Sequence, residues 1–320
     1  MRETYDVVVV GGGAAGLSGA LALARARRSV LVVDAGAPRN APAGQVHNFL
    51  TRDGTPPAEL LAAARAEVTG YGGEIATGTV ASATRVDGGF RVGLADGRTV
   101  RARRLLVTTG LVDELPDVPG LAQRWGRDVL HCPYCHGWEV RDQPLGVLAT
   151  GPLAAHQALL WRQWSADVTV FRHTAPPFDA DTREQFAARG ITVVDGEVVA
   201  LEVTDDRITG VRLASGEVVP RAAVVVAPRF TARADLLTSL GLPTAPLEMG
   251  GQVVGSAVPA DASGATDVPG VWVAGNVTDL RAQVISAAAA GLNAGAAINA
   301  DLMAEDTRRA VAALRDRATA

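Results

Sequence analysis

Asp6-Val7-Val8-Val9-Val10 is a branched apolar run that stops at Gly11-Gly12-Gly13-Ala14-Ala15-Gly16. Such a run reads as a strand covered on both faces, the pattern of a parallel sheet. The apolar period then lengthens. Ala and Leu dominate from about Ala14 to Arg27, which predicts a helix, and a second apolar run, Val30 to Val33, ends at Asp34. Pro57 to Gly70 predicts another helix, with proline in its first turn. Residues 74–109 read as short strands with turns at Asp87-Gly88-Gly89 and Asp96-Gly97, the last strand running from Leu105 into Thr108-Thr109-Gly110.

Beyond Leu111 a second α/β unit begins. Leu145 to Ala149 predicts a strand, Thr150-Gly151-Pro152 a loop, Leu153 to about Trp164 a helix and Val168 to Phe171 a strand. This repeats the N-terminal order, with one glycine where three are expected and with Arg172-His173 in place of a closing acid. Hairpin-like strands fill 191–227. Val271 to Asn276 is a strand running into a turn, Thr278 to Asp301 is a small-residue helix, and Glu305 to Ala320 is a surface helix or frayed tail.

The chain of 320 residues is long enough for two medium domains. With 48% hydrophobic residues and abundant glycine and alanine it has the composition of an α/β enzyme. A net charge of −4 implies no general affinity for nucleic acid. There is no lysine, which excludes lysine chemistry. The first apolar run follows Glu3 and Asp6 and leads into a glycine loop, unlike a secretory signal. No segment approaches the ~18 apolar residues of a membrane span. A cytoplasmic protein is expected.

The two cysteines of the chain lie in His131-Cys132-Pro133-Tyr134-Cys135-His136-Gly137. C-x-x-C spacing allows a small redox-active disulfide ring. Pro133 suits the first position of a helix opened by Cys132, whose free N–H groups favour a thiolate, the nucleophile of thiol–disulfide exchange. Structural zinc needs about four ligands, and no second ligand pair stands nearby, so no metal is expected. A structural disulfide closing so short a loop adds little stability. Cys132 and Cys135 are therefore candidate catalytic residues. His136 is a candidate general base because imidazole titrates near neutral pH; His131 is a weaker one. Tyr134, Trp138 and His47 are candidates for lining a substrate pocket, although Tyr134 and Trp138 also suit packing roles.

The electron carrier comes from the N-terminal unit. Strand, glycine loop, helix, strand and terminal acid form the dinucleotide fingerprint in its required context. Gly11, Gly13 and Gly16 would face a pyrophosphate, and Asp34 a ribose.

In this order the motifs resemble the low-molecular-weight thioredoxin reductases over nearly the whole chain: the glycine loop with Asp34, Asn48, Thr108-Thr109-Gly110, the C-x-x-C, and the segments Gly270 to Asn276 and Arg281 to Val284. The resemblance implies an α/β protein with two Rossmann-like three-layer domains. A discontinuous FAD-binding domain (1–113 and 246–320) would enclose an inserted NAD(P)H-type domain (114–245), and the protein would be a homodimer. It implies that Asn48, Gly275, Asn276, Gln283 and Val284 lie along the flavin, with Cys135 beside it and Cys132 as the exchange thiol. His136 replaces the family's acid, Asn276 replaces an aspartate, and the second fingerprint is damaged. The first and third departures resemble the natural-product dithiol oxidases of the gliotoxin and holomycin type. That branch implies an FAD-dependent oxidase that closes a disulfide in a small-molecule or protein dithiol and passes electrons to O2, giving H2O2. The alternatives are an NADPH-dependent thioredoxin or disulfide reductase and a non-enzymatic redox-sensing flavoprotein.

Overall fold

The computed structural model describes residues 1–151, 153–249 and 251–319. The Val7–Val10 run is the middle of a strand, Thr4–Val10, with parallel neighbours Val30–Asp34 and Thr99–Val107 on its two sides. Glu74–Thr77 extends the sheet beyond Val30–Asp34. Thr99–Val107 is shared: residues 99–102 pair antiparallel with the strand Gly89–Leu94, while 105–107 pair parallel with Val271–Val273. One end of the sheet is therefore a parallel nucleotide-type sheet and the other a meander closed by Val80–Val86.

Two apolar layers cover this sheet. On one face Leu17, Leu23, Ile298 and Leu302 pack against Val7, Val9 and Leu106. On the other, Val8, Val10, Leu31 and Val33 meet Phe90, Val92, Leu237 and Val258. The first helix (Ala14–Arg25) and the last (Val284–Thr319) touch backbone to backbone: a Cβ on Gly291 would sit 1.9 Å from the Ala15 carbonyl oxygen. The last helix begins later than its small-residue pattern predicts and continues without a break through the expected tail. Ion pairs secure that extension, with Arg104 held by Asp301 and Glu305, and Arg28 by Asp306.

A second, wholly parallel sheet runs Thr192–Val194, Val168–Phe171, Leu145–Leu148, Ala223–Val225, Val129–Leu130. Trp161, fully buried, and Phe186 cover one face. The meander Val198–Thr204, Arg207–Leu213, Val218–Pro220 covers the other through Leu201, Ile208 and Val211. The repeated α/β pattern thus corresponds to two Rossmann-like three-layer units. Not all of 191–227 is hairpin, because Thr192–Val194 and Ala223–Val225 join the parallel sheet.

A four-stranded sheet joins the units: Ala245–Met249, Gln252–Ala257, Arg229–Ala232 and Leu111–Glu114. The boundaries expected at 113/114 and 245/246 fall inside its strands. Among the described residues no helix is long and apolar enough to cross a membrane.

Candidate active site

Between the units lies a cavity of about 1130 Å³. Its floor is the glycine loop. Gly11 has φ +103°, and a Cβ there would meet the Thr108 carbonyl oxygen at 2.6 Å. Gly13 caps the first helix without any side-chain cap, no acid stands in the first turn, and a Cβ on Gly13 would meet nothing within 4 Å. Free N–H groups at a helix N-terminus thus face open space, the arrangement that holds a pyrophosphate. Gly16 behaves differently from expectation. It does not line the cavity, and a Cβ there would lie 1.9 Å from the Gly11 carbonyl oxygen, so it is the glycine of helix–strand packing. Asp34 accepts the Gly12 N–H at 3.1 Å and also pairs with Arg65, a contact with no sequence signal.

Gly275, Asn276, Gln283 and Val284 line the same cavity from the other end of the chain. Gly275 has φ +77°, and a Cβ on it would press on the Ala15 Cβ at 3.0 Å. Asn276 Nδ2 donates to the carbonyls of Asp279 (2.9 Å) and Ala282 (3.0 Å), which fixes its amide. Asn48 lies outside the cavity lining. Its Nδ2 donates to the Tyr134 carbonyl at 2.6 Å, and its N–H to Asp53 Oδ1 at 2.8 Å. At φ +59° it clamps its loop to the dithiol turn.

Cys132 is the N-cap of a helix of only one turn, Pro133–His136, with Pro133 at the first position. So short a helix has a small dipole. The sulfurs are instead stabilised locally. Cys135 Sγ donates to Cys132 Sγ at 2.8 Å. That bond, the N–H groups of Cys135 and Tyr134 and the field of Arg39 outweigh burial and bring the Cys132 thiol down to about 7. Cys135 is pushed up, because its proton serves Cys132 and burial adds to the effect.

Both ring nitrogens of His136 are buried without a hydrogen-bond partner. Burial lowers its pKa, against the attraction of Glu139, so it is a neutral imidazole near pH 7. His47 stands between Asp53 (Nδ1 to Oδ2, 3.3 Å) and Glu139 (Nε2 to Oε1, 3.4 Å). His131 Nδ1 donates to the Val226 carbonyl at 3.1 Å, which leaves Nε2 as the acceptor; burial lowers its pKa too. Tyr134 and Trp138 are 57% and 66% exposed beside the dithiol.

Glycine patterning did not point to Arg39, Asp113 or Phe230, which share this chamber. They come from an irregular loop and from two strands of the joining sheet, positions with no local motif.

The second unit's crevice is about 690 Å³ and is lined by Thr150, His173, Glu114, Asp117, Glu197 and Arg229. Arg172 is paired with Asp195. His173, at φ +46°, accepts the Val198 N–H at 3.1 Å. Pro152, in the loop of this second unit, lies outside the described residues.

Residues 5–291 match the family described as pyridine nucleotide-disulphide oxidoreductase. The thioredoxin reductase aclD of Aspergillus oryzae is 34% identical over 74% of this chain and 79% of its own length. The thioredoxin reductase sirT of Leptosphaeria maculans is 31% identical over 94% and 95%. The crystal structure of HlmI superposes with a TM-score of 0.91 at 49% identity, covering 100% of this chain and 99% of its own. The oxidoreductase from Agrobacterium tumefaciens reaches a TM-score of 0.86 at 35% identity, covering 94% and 99%. The open glycine loop, the uncapped helix and the large two-ended cavity fit the FAD of this family. The chain belongs to the pyridine nucleotide-disulphide oxidoreductase family, as a thioredoxin reductase-like, FAD-binding oxidoreductase.

Proposed function

We propose that this chain is an FAD-dependent dithiol oxidase that closes a disulfide in a small-molecule dithiol, with O2 as the final acceptor and H2O2 as product. The observation that carries the reading is the contrast between the two crevices. The dithiol opens onto a large cavity, whereas the smaller crevice of the second unit sets Glu114, Asp117 and Glu197 against one lining arginine, Arg229, and Arg172, outside that lining, is engaged by Asp195. Three carboxylates against one arginine disfavour phosphates there. The likeness to HlmI over the whole chain supports the same reading.

In the oxidised protein Cys132 and Cys135 form a disulfide. A substrate thiolate attacks Cys132 Sγ, and Cys135 leaves with the bonding pair. The second substrate thiol attacks the substrate sulfur of the mixed disulfide and expels the Cys132 thiolate, whose low pKa makes it a good leaving group. The substrate loses two electrons and two protons and the pair gains the electrons. His136, neutral and without a hydrogen-bond partner, takes a proton from the incoming thiol. Bound FAD supplies the two-electron acceptor that delivers these electrons to O2. Gly11 and Gly13 would hold its pyrophosphate, Asp34 its adenosine ribose, and Gly275, Asn276, Gln283 and Val284 its ribityl chain and ring.

The same proposal assigns residues 1–113 and 246–320 to FAD, 114–245 to the inserted unit, and the protein to the cytoplasm as a homodimer. Exposed Ile285, Leu292, Met303 and Leu314 recur along the last helix at spacings that put them on one face, which supports the dimer.

The test is an anaerobic titration of the yellow protein with a generic dithiol and, separately, with NADPH. The dithiol should bleach the flavin, NADPH should leave it coloured, and air should restore the colour with one peroxide per flavin. Prompt bleaching by NADPH at low concentration would overturn the oxidase in favour of the reductase. Failure of the dithiol to bleach, with binding of a partner that depends on the redox state, would favour the sensor.

A further inference from the structure

A charged pair stands in the dithiol chamber that none of these steps uses. Arg39 lies in Ala37-Pro38-Arg39-Asn40, a few residues beyond Asp34, and lines the same cavity as both cysteines. Its guanidinium is held as a fork: Nε and Nη2 donate to the two carboxylate oxygens of Asp113 at 2.7 and 2.6 Å. The Asp113 side chain is only 8% exposed. Nη1 is left with one long contact, 3.5 Å to Asn276 Oδ1. The guanidinium lies over the Phe230 ring at 5.5 Å, and the edge of His131 meets that ring at 5.0 Å. His131 directly precedes Cys132. A bidentate carboxylate fixes the plane of an arginine and a ring beneath it fixes its tilt. Arg39 is thus a rigid cation, joined to the dithiol turn through two aromatic contacts.

We propose that Arg39, held by Asp113, is a positioning residue for dithiol exchange, the fixed positive charge that stabilises the Cys132 thiolate each time exchange expels it. This deepens the dithiol reading above and rests on Cys132 being the exchange thiol. The other charged or titratable groups lining the cavity include Asp113, His131, His136 and His47, with Arg229, Arg233, Asp235 and Arg281 further round its wall. Burial keeps His131 and His136 neutral, His47 is engaged by Asp53 and Glu139, and the Asp113 carboxylate faces Arg39. Of the arginines in the cavity, Arg39 is the one whose charge reaches both sulfurs. Its field favours the thiolates of both Cys132 and Cys135 and disfavours protonated His131. Asn276 has a part in this. A carboxylate at position 276 would put a second anion beside Nη1 and cancel the field, whereas the amide leaves it intact.

The test is the pH dependence of Cys132 alkylation by iodoacetamide, read by peptide mass spectrometry on the FAD-loaded Cys135→Ser protein. Serine keeps a hydrogen-bond donor beside Cys132 Sγ. No dithiol, oxygen or nucleotide is added, so the result stands whichever way electrons flow. Failure of the oxidase reading shows in the flavin titration and failure of this one shows here. In this background Arg39→Gln should raise the alkylation midpoint by about one pH unit, a tenfold loss of thiolate below it. Arg39→Lys should keep most of the thiolate, and Asn276→Asp should raise the midpoint. An unchanged midpoint in Arg39→Gln, or an equal rise in Arg39→Lys, overturns the proposal. If Arg39→Gln does not fold, Asn276→Asp decides, and a midpoint that stays or falls there overturns the proposal.

Discussion

Replacing Gly291 by alanine should loosen FAD by a route that touches no cofactor residue. The new Cβ would lie 1.9 Å from the Ala15 carbonyl oxygen, 2.7 Å from its carbonyl carbon and 2.9 Å from its Cα. All three are backbone atoms, so no rotamer change relieves the overlap. Against the ~3.3 Å of a close C···O contact, the helices must part by roughly 1.4 Å. They cannot slide elsewhere cheaply, because a Cβ on Gly295 would already lie 2.8 Å from the Gly19 carbonyl oxygen in the same crossing. Alanine recovers about 1 kcal/mol of helix propensity, while overpacking costs about 1–3 kcal/mol and more against rigid backbone. The net loss is about 2 kcal/mol, or roughly 4–8 °C in Tm for a mid-sized domain. Ala15 is in the first turn of the glycine-loop helix and lines the cavity, so the displacement reaches the pyrophosphate cradle. Calorimetry of the FAD-saturated protein and dialysis followed by flavin absorbance read the two effects. Gly70→Ala is the control, since a Cβ there meets nothing within 4 Å; its Tm should hold or rise slightly. Wild-type Tm and FAD retention in Gly291→Ala would refute the argument.

Cys135→Ser should abolish flavin reduction by dithiols while leaving FAD bound, as stopped-flow absorbance will show; turnover at the normal rate contradicts the exchange scheme. Arg124 is buried, with Nε and Nη2 on the Asp128 carboxylate at 2.7 and 2.6 Å and Nη1 on Asp206 at 2.6 Å. Arg124→Ala takes the cation from Asp128 and leaves it the Ile208 N–H at 2.9 Å, and should cost about 3 kcal/mol in urea unfolding; a change below 1 kcal/mol argues that this N–H and water satisfy the carboxylate. Burial lowers the pKa of His131, His136 and His173. The unfolded chain takes up protons near ~6.5, where the native state still resists them, so stability should fall as pH drops from 7.5 to 5.5. His136→Gln should flatten that slope, and a native state that gains stability on acidification contradicts the assignment.

Much of the fold was legible because the chain writes it in local periods. Branched apolar runs closed by glycine mark the parallel strands, and the strand, loop, helix and acid of the first unit place Gly11, Gly13 and Asp34 without any long-range information. The C-x-x-C likewise marks a candidate redox pair, through its spacing and the lack of a second ligand pair nearby. Boundaries were less legible where small residues were read for helix. Thr278–Gln283 precedes the last helix, held in turns in which Asp279 and Gly275 accept backbone N–H groups, and of the surface helix or frayed tail expected from Glu305 the helix forms, with Asp301, Glu305 and Asp306 paired to arginines distant in sequence.

The candidate site divides along the same line. Its sulfurs, its glycines and its acid are set by residues near one another in the chain, and local geometry follows from local sequence. Gly16 packs against Gly11 and Asn48 holds the Tyr134 carbonyl, roles decided by what lies across a gap. Arg39, Asp113, Asn276 and Phe230 come from four separate stretches and meet only after the joining sheet has formed. A sequence specifies which groups exist and how neighbours fold. The field at Cys132 is a sum over charges whose distances are set by long-range packing, so only the tertiary structure decides it.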